Sequence, residues 1–340
     1  MPIVGGFDVH RSQITFDYLE VVTGEVRSGR IQPATREHLR VWLGRFEGRE
    51  VAFALEGCTG WRYIVEELEG AGIEAHVAEP ADTASLRGRK KRAKTDRADA
   101  AHLRDLLVQG RLPESWIPPA HVLDIRTLGR LYSSLMSERQ KWQQRIRAQL
   151  FHQGVPRTKG ILTEEGRAGL AAAELSAAGR QVVEVALFQI DQLDLSIVPL
   201  RHQLAQVART QPGCRALLPI WGIGQLTAPI IWAEMGDTRR FSNSDKAVRH
   251  TGLDVTVYSS DKKRSAGRLA RQGPAALRWA LVEAAQTAAR SNSPDHSYYR
   301  SVAERCGPGR AALSVARKIA RRVHHILQDL GDAAWVPATT

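Results

Sequence analysis

Four acidic residues occupy positions that demand an explanation: Asp8 interrupts the apolar run GGFDVH, Glu56 closes the apolar run VAFALE, and Asp96 and Asp99 stand three apart in KTDRADAAHLRDLL. A carboxylate on a strand that otherwise carries apolar residues is costly without a partner. Two acids three apart on a helix project from one face. If that helix packs against the sheet edge bearing Asp8 and Glu56, four carboxylates converge on a pocket that only divalent cations would neutralise. Hard oxygen ligands of this kind suit Mg²⁺ or Mn²⁺. Two such ions about 4 Å apart activate a nucleophile and stabilise the leaving oxygen of a phosphodiester. Taken singly the acids have plainer explanations: Asp8 in a strand turn, Glu56 paired with Arg62, Asp96 or Asp99 favoured by a helix dipole. Their joint order, strand, later strand, then helix pair, is what favours the metal reading.

A second group lies downstream in RRFSNSDKAVRHTGLDVTVYSSDKKRSAGRLARQG, where nine Lys and Arg face Asp245, Asp254 and Asp261. Lys262, Lys263, Arg264, Arg268 and Arg271 make a field suited to a phosphate backbone. Ser259 and Ser260 sit among them, in a polar break after the strand-like DVTVY. A serine hydroxyl is a poor nucleophile unless a base, cation cluster or metal assists it, so from the residues alone these serines read as turn formers. Further basic runs are LRGRKKRAKTDR, with Arg89, Lys90, Lys91, Arg92 and Lys94 as nucleic-acid contacts, and Arg317, Lys318, Arg321 and Arg322 near the C-terminus.

The elements that must position these groups follow from periodicity. From Ile3 to Ile31 the pattern reads as two or three antiparallel strands, and afterwards helical and strand patterns alternate: a helix over 35–47, a strand over 51–55, a helix over 60–70, a strand over 73–77 and a helix over 95–108. That predicts a mixed α/β sheet domain over residues 1–112. The prolines of LPESWIPP end it, and long Gln- and Arg-rich helical sequence follows over 113–211. Its two apolar seams, Leu128 to Leu150 and Val183 to Val207, predict a helical hairpin or coiled coil, with Pro199 expected to kink or interrupt the second helix. Residues 212–340 predict a mainly helical domain, in which Gly222-Ile223-Gly224 has the form of a helix-hairpin-helix turn whose amides could meet phosphates.

The motifs GFDVH, ALEGC and KTDRADAAHLRDLL together resemble the DEDD insertion-sequence transposases related to pilin-gene inverting recombinases, whose recent members are called bridge recombinases. The resemblance implies an RNase H-like (RuvC-like) N-terminal domain with Asp8, Glu56, Asp96 and Asp99 as its metal-binding tetrad. It also implies a C-terminal transposase domain in which GLDVTVYSSDKKRSAGRLARQG carries a nucleophilic serine. In that family the serine stands before a glycine; here Asp261 takes that place, so Ser260 is preferred and Ser259 is the alternative. Double-stranded target and donor DNA, a structured guide RNA and a homo-oligomer, dimer or tetramer, are implied as partners. Two other readings stay open: a metal-dependent junction resolvase or nuclease that uses water, and a non-catalytic nucleic-acid-binding regulator.

Bulk properties set the bounds. The 340 residues, 43% of them hydrophobic, suffice for two or three folding units. The formal charge of +12 favours a polyanionic partner. Cys58, Cys214 and Cys306 are too few and too scattered for a disulfide framework, and no apolar stretch approaches the ~20 residues of a membrane span, so a reducing cytoplasm is the expected location, and the resemblance implies a bacterial one, close to the nucleoid.

Overall fold

The computed structural model describes residues 2–87, 95–156, 159–255, 259–260, 263–264, 267, 269–270 and 272–338, and the chain forms two compact units, residues 1–117 and 118–340. In the first, β1 (Ile3–Val9), β2 (Ile14–Glu20) and β3 (Glu25–Ile31) make an antiparallel meander. After α1 (Arg36–Leu43), β4 (Val51–Glu56) joins β1 in parallel; after α2 (Trp61–Gly70), β5 (Glu74–Ala78) joins β4 in parallel. The strand order among the described residues is β3-β2-β1-β4-β5. Short α3 (Pro80–Ser85) and then α4 (Asp96–Val108) follow.

Strand alternation divides the side chains between two faces. Ile3 and Phe7 of β1, Ile14 and Phe16 of β2, and Phe53 and Leu55 of β4 enter one core with Trp42 of α1 and Ile64 of α2, where Phe7 stacks on Phe53 at 4.3 Å. The intervening residues, Gly6 and Asp8 of β1, Asp17 of β2, and Ala54 and Glu56 of β4, belong to the opposite face, against which α4 packs through Leu103. Residues 113–115 stay tied to the sheet: Glu79 donates to the Pro113 carbonyl (2.9 Å) and Ser115 to that of Val77 (2.7 Å).

The second unit begins with α5 (Ala120–His152), followed by α6 (Glu164–Ala172) and α7 (Ala177–Thr210). Helices α5 and α7 pack through Ile146, Leu150, Val183, Ala186 and Ile190, with Arg139 paired to Asp194 at 2.6 Å. Helix α7 runs through Pro199 without interruption. A mid-helix proline costs about 3 kcal/mol; burying Ile190, Ile197 and Leu204 of the same helix, at about 1.5–3 kcal/mol each, exceeds it.

Then come α8 (Pro212–Leu217), α9 (Thr227–Met235), α10 (Ser244–His250), β6 (Ser259–Ser260), β7 (Lys263–Arg264), α11 (Ala275–Gln286), α12 (His296–Cys306) and α13 (Pro308–Leu330). Helix α9 is buried from Ala228 to Met235 and packs against α5 and α11. In the turn before it, Gly222 has φ +91°, and a Cβ there would stand 2.2 Å from the Ala284 carbonyl oxygen, so only glycine fits.

Asp295, 3% exposed, accepts from Arg322 (2.6 and 2.9 Å) and Lys318 (2.9 Å) of α13. The Arg322 hydrogen bonds outweigh burial and hold its carboxyl below the usual range. A carboxylate lowered in this way contributes stability that is present above its unfolded value, near 4, and lost as pH falls through the folded value. Asp295→Asn should therefore lower the melting temperature at pH 7 and flatten its decline from about pH 4 downward, as read by thermal melts across that range.

Candidate metal centre

Helix α4 starts where its sequence dictates. Thr95 caps it, its hydroxyl accepting from the Ala98 amide at 3.2 Å, and this sets Asp96 and Asp99 in the first turn. The helix lies close on β1 because Gly6 has no side chain: a Cβ there would stand 2.1 Å from the Ala100 carbonyl oxygen and 2.8 Å from the Arg104 amide nitrogen. Farther along, Arg104 of α4 forms an ion pair with Asp17, 3% exposed on β2. Gly6→Ala should cost about 1–3 kcal/mol, since backbone must move to admit the methyl group. It should also weaken divalent-cation binding by lifting the first turn of α4; urea unfolding and calorimetric titration read the two effects.

The result of this close approach is that Asp8 and Asp96, 88 positions apart in the chain, meet beside His10. One ligand atom from each of Asp8, His10 and Asp96 lies within 4.8 Å of the others. His10 Nε2 is 3.1 Å from Asp8 Oδ2 and 3.6 Å from Asp96 Oδ1. The Gln13 side chain donates to Asp96 Oδ2 at 2.9 Å, and Gln32 in turn donates to Gln13 at 2.6 Å. Asp99 is ion-paired with Arg87. Glu56 is not one of the three clustered groups. It follows Leu55, the β4 partner of Phe7, and so comes level with Asp8 on the same sheet face.

Burial pushes the Asp8 carboxyl above its ordinary range; His10 offsets part of this, and the negative charges of Asp99 and Asp96 add to it. Burial likewise raises the Cys58 thiol, which feels the charges of both Glu56 and Asp8. Crowded carboxylates with a raised member are a donor set that a divalent cation relieves, and oxygen donors with one imidazole nitrogen can hold it.

Sequence reasoning missed His10, although it stands two residues after Asp8 and strand alternation alone would set both on one side. It missed the Asp17 and Arg104 pair as well. In the second unit, Ser259 and Ser260 form β6, which pairs antiparallel with β7, with Ser259 opposite Arg264 and Ser260 opposite Lys263. The base of this segment is closed by a bridge between Val255 and Leu269. Arg89, Lys90, Lys91, Arg92, Lys94, Lys262, Arg268 and Arg271 lie outside the described residues. Four cations of α13 are engaged within their own unit: Arg321 with Asp245 (2.9 Å), Lys318 and Arg322 with Asp295, and Arg317 with the Leu253 carbonyl (2.7 Å).

A mixed sheet with an acidic face, followed by a helical region, is the build of an RNase H-like DEDD transposase, and comparison with known proteins leads to the same class. Residues 5–153 match the family model for DEDD transposases of the IS110 type, and residues 214–300 match that of the transposase IS116/IS110/IS902 family. Together the two matches support a DNA transposase. It is 29% identical over 248 residues to a putative transposase, y4rJ, of Sinorhizobium fredii, an alignment covering 66% of this chain and 62% of that relative. It is 25% identical over 279 residues to the transposase for insertion sequence element IS1111A of Coxiella burnetii, covering 78% of this chain and 74% of the relative. A probable family 20 transposase of Pseudomonas aeruginosa is 23% identical over 285 residues, 79% of this chain and 81% of its own length. Among the described residues no helix is long and apolar enough to cross a membrane.

Proposed function

We propose that this protein is a DNA recombinase that excises and inserts its own mobile element by phosphodiester transesterification. The observation that carries the reading is the meeting of Asp8 and Asp96, within 4.8 Å together with His10, inside the segment matched by the DEDD transposase model. Asp8, Glu56, Asp96 and Asp99 bind Mg²⁺ or Mn²⁺, and a bound cation there stabilises charge developing on the scissile phosphate. Ser260, with Ser259 as the alternative, supplies the nucleophile. Its oxygen forms a bond to phosphorus while the bond from phosphorus to a deoxyribose oxygen breaks, and the serine proton ends on that departing oxygen. The number of phosphodiester bonds is conserved, so strand exchange can reverse the step on a new partner. Lys263 and Arg264 neutralise the phosphate during transfer, with Lys262, Arg268, Arg271 and the run from Arg89 to Lys94 along the nucleic-acid backbone.

The proposed partition is a catalytic part over 1–112, a helical coiled-coil linker over 113–211 and a serine-bearing part over 212–340, with the turn at Gly222 meeting phosphate as a helix-hairpin-helix. A structured guide RNA selects target and donor DNA. The linker pairs copies into a dimer or tetramer; Val185, Phe188, Leu195 and Val198 of α7, each 45–70% exposed, favour an apolar contact of that sort. The protein works in the cytoplasm at the nucleoid.

Trapping tests the nucleophile. Full-length protein incubated with its RNA, DNA substrates and Mg²⁺ should give an SDS-resistant protein–DNA adduct that Ser260→Ala abolishes and Ser259→Ala leaves intact. An active protein that never forms the adduct, and tolerates Ser260→Ala, would be a hydrolase instead.

A further inference from the structure

We propose that His10 is itself a ligand of the cation held by the acidic face, and that its nitrogen gives the site a preference for Mn²⁺ over Mg²⁺. This rests on the metal reading above and adds to it a residue outside the four acids. The distances carry it. Two neighbouring donors on one ion, each about 2.1 Å from it, stand roughly 3 Å apart. His10 Nε2 is 3.1 Å from Asp8 Oδ2 and 3.6 Å from Asp96 Oδ1, each close to that spacing.

The surroundings hold the three donors toward one another. The His10 amide donates to the Gln13 carbonyl (2.9 Å) in the turn between β1 and β2, so the imidazole rises from a closed turn. The Gln13 side chain then occupies Asp96 Oδ2, which leaves Oδ1 as the oxygen facing His10. This is the kind of outer support that orients metal ligands. A purely structural ion pair is the weaker account of His10, because its side chain is 52% exposed and an exposed pair contributes only about 0–1 kcal/mol.

The chemistry follows from the donor type. Mg²⁺ is hard, prefers oxygen and gives up its water reluctantly, whereas imidazole nitrogen is a better donor to first-row transition ions. A site with one nitrogen among its carboxylates therefore discriminates in favour of Mn²⁺ where an all-oxygen site does so less.

Full-length, metal-free protein is titrated separately with Mn²⁺ and Mg²⁺ by calorimetry, and its Mn²⁺ complex is examined by pulsed electron paramagnetic resonance. The expected result is a nitrogen hyperfine coupling in the wild type that disappears in His10→Ala, together with a fall of about tenfold or more in the ratio of Mn²⁺ to Mg²⁺ affinity. Mn²⁺ bound through Asp8 but without nitrogen coupling in the wild type, or an unchanged ratio in His10→Ala, would overturn ligation by His10 and leave the metal reading standing. Absence of Mn²⁺ binding by the wild type, or binding that survives Asp8→Asn, would overturn both.

Discussion

Asp8→Asn should reduce strand transfer by at least about a thousandfold while making the metal-free protein more resistant to heat at neutral pH. The loss of activity follows from charge. A cation bound at developing phosphate charge supplies several kcal/mol of transition-state stabilisation, and a loss of about 4 kcal/mol corresponds to a factor near a thousand. The gain in stability follows from the same crowding. Burial, then Asp99 and Asp96, push the Asp8 carboxyl up, with His10 offsetting part of it. The sign is fixed by proton counting: a folded state that binds the proton more tightly than the unfolded state loses stability as pH rises between the two pKa values. Above that window the full cost of the ionised group is present, and a neutral amide removes it. Metal reverses the ranking, since a ligand at a hundred times its dissociation constant stabilises the folded state by about 2.7 kcal/mol. Melting curves with and without Mn²⁺ should therefore cross: Asp8→Asn melts above the wild type without the ion and below it with the ion. A variant that melts lower in both conditions would show Asp8 to be structural.

What could be read in advance, and what could not, divides along the range of the interactions. The hairpin followed by alternation from Ile3 to Val108 was legible because strand and helix periods are local, and it corresponds to the five-stranded mixed sheet and its helices. Asp8 and Glu56 stood out because each breaks an apolar run, and Asp96 and Asp99 because their spacing sets them on one face of a helix. Asp17 did not, although it is the most deeply buried acid of the sheet, because its partner Arg104 lies 87 residues away and a lone Asp in QITFDYLEVV carries no mark of that pairing. His10 lay just past the end of a strand, where alternation is usually no longer followed. Helix α7 continues through Pro199 because the apolar face it lays against α5 outweighs the local cost of the proline. The pairing of Ser259 and Ser260 with Arg264 and Lys263 has no apolar alternation to mark it in the sequence.

The same reasoning identifies the residue whose loss should most damage the second unit. Glu234, 1% exposed on α9, accepts from Arg130 of α5 at 2.5 and 2.9 Å, with the Arg126 guanidinium 4.0 Å away. Arg126 is mostly buried, and burial lowers its pKa to about 10, with Glu234 opposing that shift and Arg130 adding to it. His250, whose ring nitrogen lies 3.2 Å from the Glu234 carbonyl, is pushed down to about 4 by burial and by Arg240 and so stays neutral. Glu234 is thus the negative charge at a junction of α5, α9 and α10 that otherwise holds arginines. Removing one partner of a buried pair costs about 3–5 kcal/mol, because the remaining charge is left uncompensated. Glu234→Ala is expected to do so, lowering the melting temperature of this unit by roughly 10 °C. Arg130→Ala should cost only about 1 kcal/mol, since the Arg130 side chain is 59% exposed and its departure still leaves Arg126 beside Glu234. Equal losses in the two variants, measured by urea unfolding, would mean that Arg126 contributes nothing to holding Glu234.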